Sequence, residues 1–216
     1  MPPTRVPCPD SLVDLAFLVD GSGSMNTTEF IQAQSFITAV TGGFDVAPDE
    51  AHVAIATYSA VPNDLGRNAT ESDLFFTDGT NHVVVASAVA AMQRPGGDTN
   101  TSFALTFAQN VLYNAAYGAR DASYVPRLMV LLTDGASQDP SLTAQAAASI
   151  RDNFGVKIFP VGVGNRVNAT ELFVLAGPGN SNRVFTVDTH ANLYTIEVGL
   201  LAALCANGGV TTTIAP

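Results

Sequence analysis

Short runs rich in valine, leucine, isoleucine and phenylalanine alternate along this chain with longer segments whose apolar residues recur at helical spacing. Runs of five to seven such residues bounded by turn residues predict strands at 13–19, 52–58, 73–77, 128–133, 157–163 and 183–187. The longer segments predict helices at 30–40, 81–92, 102–117, 142–154, 169–176 and 192–204. In the first of these, Phe30, Ile31, Phe36, Ile37 and Val40 carry the apolar pattern, and Gly42 and Gly43 follow as a C-terminal stop. Regular alternation of strand and helix is the mark of a doubly wound, Rossmann-like α/β fold: a mostly parallel six-stranded sheet with helices on both faces. The 73–77 run follows its predecessor too closely for a crossover helix, so it is expected as one antiparallel edge strand.

That architecture fixes where chemistry should lie. In open α/β sheets ligands bind beyond the carboxyl ends of the strands, where the strand order reverses. Two predicted strands end there in acid. VDLAFLVDGSGSM, residues 13–25, closes on Asp20, Ser22 and Ser24 with glycines between them, and LMVLLTDG, residues 128–135, closes on Asp134. GGDTNTSFAL, residues 96–105, opens a helix and adds Thr99. Three hydroxyls and two carboxylates, some acting through water, suit a small hard cation such as Mg²⁺ or Mn²⁺. Alone, the D-x-S-x-S turn says little, because Gly/Ser-rich turns between strand and helix are common; the three segments together carry the signal.

Length and charge narrow the classes. With 216 residues and 47% hydrophobic content the chain suffices for one core, and no internal linker divides it. A formal charge of −10, with nine Lys and Arg scattered without a basic run, excludes a nucleic-acid partner. Direct membrane insertion is not expected, since no long apolar span occurs, and MPPTRVPCPD does not read as a signal peptide. The chain reads as part of a larger multidomain protein: an N-terminal segment at 1–11, a domain at 12–206, and from 207 the start of a Gly/Thr-rich linker. Enzyme readings find little. GVGNRV, residues 162–167, lacks the third glycine of a dinucleotide loop, and neither a P-loop nor a G-x-S-x-G elbow occurs. His52, His82 and His190 stand beside no candidate nucleophile, and a dehalogenase-like phosphatase would need an aspartate where this chain has Ser22. No catalytic residues are assigned.

DGSGSM with Thr99 and Asp134 resembles the metal-ion-dependent adhesion site of the von Willebrand factor A domain, which is also the inserted domain of integrins. Other stretches match in order: residues 42–59 resemble the link into the second strand, 95–105 the threonine loop, and 171–188 the penultimate helix and last strand. The resemblance implies a Mg²⁺ or Mn²⁺ ion held by Asp20, Ser22, Ser24, Thr99 and Asp134. It implies an extracellular or cell-surface adhesion or matrix-binding module whose ion takes a Glu or Asp carboxylate from a protein partner. The alternative is a structural, self-assembling A domain of a matrix or cell-wall protein that makes little use of the ion. Specificity is expected from loop side chains around the metal, here Met25, Asn26, Tyr58, Ser59, Asp98, Asn100, Ala136 and Ser137.

Cys8 and Cys205 precede the first strand and close the last helix, so both fall at one edge of the predicted domain, as a staple or as two thiols. Some A domains carry a disulfide joining their termini, and the resemblance implies a Cys8–Cys205 bridge here. Four N-x-S/T triplets occur. Asn68 and Asn168 are the candidate glycosylation sites, whereas Asn26 and Asn100 abut the metal loops, where a glycan would obstruct access.

Overall fold

The computed structural model describes Cys8, residues 11–59 and residues 70–210. Strands β1 (Ser11–Asp20), β2 (Ala51–Tyr58), β3 (Thr70–Leu74), β4 (Arg127–Thr133), β5 (Val156–Val163) and β6 (Phe185–Val187) lie side by side in the order β3-β2-β1-β4-β5-β6. All neighbours are parallel except β2 and β3, so the expected antiparallel edge is present. Strand order reverses at β1, which pairs with β2 on one side and β4 on the other.

Central strands that are covered on both faces need apolar residues at every position. β1 meets that need. Leu15, Phe17 and Val19 pack with Phe36, Ile37 and Val40 of α1 (Thr27–Thr41), Val85 and Val89 of α2 (His82–Ala91), and Leu200 and Leu204 of α6 (Glu197–Asn207). Ala16 and Leu18 face the other way, toward Leu105 of α3 (Thr101–Phe107), Ile150 of α4 (Pro140–Phe154), and Leu172 and Leu175 of α5 (Ala169–Ala176). None of the helices among the described residues is long and apolar enough to cross a membrane.

Several boundaries differ from the sequence reading, each for a local reason. β3 pairs through 70–74 rather than 73–77, because the backbone turns at Phe75, whose carbonyl accepts from the Asp78 and Gly79 N–H groups, and Phe76 is buried from that turn. The expected helix at 102–117 stops at Phe107. A wider π turn at Ala108–Leu112 follows it, and the buried Tyr113 hydroxyl donates to the Leu128 carbonyl of β4 (2.6 Å). Asn114 then caps a short 3₁₀ turn. The last helix begins at Glu197 instead of 192, after a 3₁₀ segment at His190–Thr195.

At the C-terminal end the expected linker boundary at 207 falls inside the fold. Asn207 is the last residue of α6, and Gly209–Val210 forms a short strand, β7, antiparallel to Ser11 and Leu12. Nearby, Cys8 and Cys205 are joined in a disulfide with Cα atoms 5.5 Å apart.

Candidate metal centre

The chain brings Asp20, Ser22, Ser24, Thr99 and Asp134 to one place, at the carboxyl ends of β1 and β4 where strand order reverses. Gly21 makes the first turn possible by its size. A Cβ there would lie 2.5 Å from Pro95 Cδ and 2.7 Å from Thr57 Cγ2, so no larger residue fits without displacing the neighbouring loop. Backbone bonds stitch the loops together: Gly21 N donates to the Tyr58 carbonyl (2.8 Å), Gly96 N to Gly21 (2.8 Å) and Gly23 N to Gly97 (2.6 Å). Immediately beyond, Asn26 and Glu29 form a reciprocal capping box that starts α1.

Hydrogen bonds link all five residues, one of them through backbone. The Ser22 and Ser24 hydroxyls are 2.8 Å apart, and Ser24 Oγ donates to Asp134 Oδ1 (2.5 Å). Asp20 Oδ1 accepts from the Ser22 N–H (2.9 Å), while Thr99 Oγ1 lies 3.5 Å from Asp20 Oδ2. Ser22, Ser24 and Thr99 line an open bowl of about 520 Å³ together with Asp98, Ala136, Gln138 and Arg166, and Asp134 borders a neighbouring cavity that also includes Arg166.

Two buried aspartates of β1 show what the site requires. Asp14, at the other end of the strand, is fully buried and paired with Arg120, whose Nε donates to Oδ1 (2.7 Å). Asp20 is equally buried, yet no Lys, Arg or His among the described residues forms an ion pair with it. A buried carboxylate without a countercharge is expensive. Burial pushes its pKa up from 3.8 to about 6, with a smaller contribution from Asp134, against the lowering effect of the Ser22 and Thr133 hydrogen bonds. Among the described residues no group of three or more His, Cys, Asp or Glu could hold a metal ion. A cation here must therefore draw on the hydroxyls, and two carboxylates with three hydroxyl groups fit a small, hard, partly hydrated divalent ion.

The pKa displacement fixes a pH dependence. The folded pKa of Asp20 lies above its unfolded value, so without a cation the fold is favoured by protonation and loses stability as pH rises from about 4 to about 6. The size of that loss is about 3 kcal/mol. A divalent ion offsets it only where Asp20 is ionised. The rise in melting temperature on adding Mg²⁺ should therefore be larger near pH ~7.5 than near pH ~5, measured by differential scanning calorimetry.

Four contributors escaped the sequence reading. Thr133 Oγ1 donates to Asp20 Oδ2 (2.8 Å) and orients it; its position just before Asp134 was the available signal. Buried Glu171 accepts from the Ser137 N–H (3.1 Å) and hydroxyl (2.6 Å), pinning the loop after Asp134; an acid opening an otherwise apolar helix pointed there. Arg166 Nη2 donates to Asp134 Oδ2 (2.7 Å) and to the Ser24 carbonyl (3.1 Å), and Arg94 Nη1 donates to the Ser22 carbonyl (3.2 Å). Of the side chains expected to surround the metal, Met25, Tyr58, Ser59 and Ser137 are buried instead, Met25 and Tyr58 in the apolar core.

A comparison with known families matches residues 14–197 to the von Willebrand factor type A domain. The chain belongs to that family. Among curated relatives, the human collagen alpha-1(XX) chain is 34% identical over 191 residues, covering 88% of this chain and 13% of the collagen. The chain thus spans about an eighth of that relative's length. Among solved structures, proximal thread matrix protein 1 from the mussel byssus, with a zinc-occupied MIDAS motif, superposes with a TM-score of 0.80 at 18% identity. That match covers 91% of this A domain chain and 48% of the mussel one. The manganese-loaded TRAP protein of Plasmodium vivax gives 0.67 at 18% identity, covering 88% of this chain and 74% of TRAP. At these identities the two structures establish a shared fold.

Three of the four sequon asparagines start helices. Asn26, Asn100 and Asn168 are the N-caps of α1, α3 and α5, each accepting a backbone N–H in its first turn. Asn68 lies outside the described residues.

Proposed function

We propose that this A domain is an extracellular adhesion or matrix-binding module that engages an acidic group of a protein partner through Mg²⁺ or Mn²⁺ held by Asp20, Ser22, Ser24, Thr99 and Asp134. The observation that carries this reading is Asp20: a fully buried carboxylate, without an ion pair among the described residues, beside an open bowl lined by the hydroxyl residues Ser22, Ser24 and Thr99. When bound, the ion supplies an electrophilic position for a partner's Glu or Asp carboxylate. The hydroxyls of Ser22, Ser24 and Thr99 contribute neutral oxygens, so the chain neutralises the ion incompletely and leaves it attractive to a further anion. Thr133 fixes the orientation of Asp20, and Glu171 holds the loop that carries Asp134.

The collagen relative supports a matrix setting, and the zinc-occupied MIDAS motif of the mussel protein, with the manganese-loaded TRAP protein beside it, supports a divalent ion. Hard oxygen donors favour Mg²⁺ or Mn²⁺ over softer metals. No enzymatic step is assigned. Retention of the purified domain on immobilised extracellular matrix, in Mg²⁺ and then in EDTA, tests the reading. Loss of retention on chelation is expected; equal retention would instead indicate self-assembly or contacts that bypass the ion.

A further inference from the structure

Arg166 stands out because the chain has only nine Lys and Arg against nineteen Asp and Glu, and one of those nine sits directly on a proposed metal ligand. It lies in the loop after β5, the strand next to β4 in the sheet, which delivers it beside Asp134. Its side chain is 57% exposed, while the Asp134 side chain is almost fully buried. The single nitrogen Nη2 makes both contacts, to Asp134 Oδ2 (2.7 Å) and the Ser24 carbonyl (3.1 Å). Since Ser24 Oγ already donates to Asp134 Oδ1, both oxygens of this carboxylate are engaged by the protein itself.

From this geometry we infer that Arg166 is an internal competitor of the divalent cation: its guanidinium holds Asp134 and thereby sets the affinity of the site. This rests on the assignment of Asp134 as a metal ligand. A cation, or its coordinated water, that uses Asp134 Oδ2 must displace the guanidinium or share the oxygen with it, and two positive charges so close repel. Displacement is feasible because Arg166 is anchored through one nitrogen only and the rest of its side chain is long, flexible and half in solvent. The competing contact keeps the buried Asp134 paired whenever the cation is not bound, so the site resists collapse at low metal concentration and loads only when the cation is abundant.

Arg94, in the segment between α2 and α3, provides a control. It carries the same charge and donates to the Ser22 carbonyl, but it touches neither Asp20 nor Asp134. General electrostatic relief on deleting a positive charge should therefore appear in both Arg94→Ala and Arg166→Ala, whereas release of Asp134 should appear only in the second.

Isothermal titration with Mn²⁺ alone, on the intact domain and on Arg166→Ala, Arg166→Lys and Arg94→Ala, tests the inference. The expected result is tighter Mn²⁺ binding by Arg166→Ala, about two- to fivefold, as for other ion pairs with an exposed partner. Arg166→Lys should fall between it and the parent, since a lysine keeps the charge without the planar fork, and Arg94→Ala should change less than Arg166→Ala. Equal gains in Arg166→Ala and Arg94→Ala, or weaker binding by Arg166→Ala in a protein that melts normally, would overturn competition while leaving the metal site standing. Binding by Arg166→Ala but not by the parent would support competition and overturn the proposed function. Binding by none of the four would overturn both.

Discussion

Replacing Asp20 with asparagine or alanine should abolish saturable Mn²⁺ binding and, in EDTA, raise the stability of the domain. The two effects have opposite signs because the same buried charge causes both. Losing an outer-shell partner of a metal ligand typically costs 10- to 100-fold in affinity, so losing the ligand itself should cost about 100-fold or more. Without the cation, however, ionised Asp20 is a buried charge without an ion pair among the described residues, and its removal relieves a penalty of about 3 kcal/mol near neutral pH. Asp134 behaves differently. Asp134→Ala should also abolish binding, but it discards the Arg166 ion pair and the Ser24 hydrogen bond, so no gain in stability is expected. Calorimetric titration and thermal melts of the parent and these three variants read both quantities. Unchanged Mn²⁺ affinity in Asp20→Ala and Asp134→Ala would remove the site assignment.

The second large effect is structural. Cys8→Ser combined with Cys205→Ser should lower stability by up to about 5 kcal/mol, because the bridge closes nearly the whole chain with a sequence separation of 197. Local packing adds to the expectation. Cys8 is buried, its N–H donates to the Gly43 carbonyl (2.7 Å), and it sits in the core cluster with Leu201 and Leu204 of α6. Loss of the bridge therefore frees both the N-terminal segment and the end of α6. Urea unfolding of the double serine variant beside the oxidised parent measures the change; a difference below about 1 kcal/mol would show that the termini are held by packing alone.

How much of this was legible beforehand depended on whether a residue's role is local. The sheet could be read because β1, β2, β4 and β5 are almost entirely buried, and runs such as Leu128–Thr133 leave few other interpretations. The metal loops could be read because Asp20, Ser22 and Ser24 are close in sequence, and because Asp134 ends its strand as Asp20 ends its own. Residues that act from a distance were not visible in that way. Arg166 and Glu171 reach Asp134 and Ser137 across separations of more than thirty residues, and a lone arginine in a loop looks like surface until the sheet order places β5 beside β4.

Met25 and Tyr58 flank the loops in sequence, but Met25 turns inward beneath α1 and Tyr58 faces the opposite core, so nearness along the chain did not mean access to the bowl. Phe75 and Phe76 extended the apparent third strand, although a turn can bury an aromatic ring as well as a strand can. Gly/Thr-rich composition suggests a linker from 207, whereas the backbone of Gly209–Val210 still finds partners on β1.

Water-proton relaxation of the Mn²⁺-loaded domain, titrated with a short peptide that carries one glutamate, tests most directly whether the cation sits in an open site and accepts a carboxylate. A bound ion that retains exchangeable water enhances relaxation, and a carboxylate that takes its place lowers the enhancement. The expected result is a saturable fall with the glutamate peptide that is absent with its glutamine counterpart and absent in Asp20→Ala. An enhancement that does not respond to the glutamate peptide, or that is equal in Asp20→Ala, would contradict carboxylate capture at this metal centre.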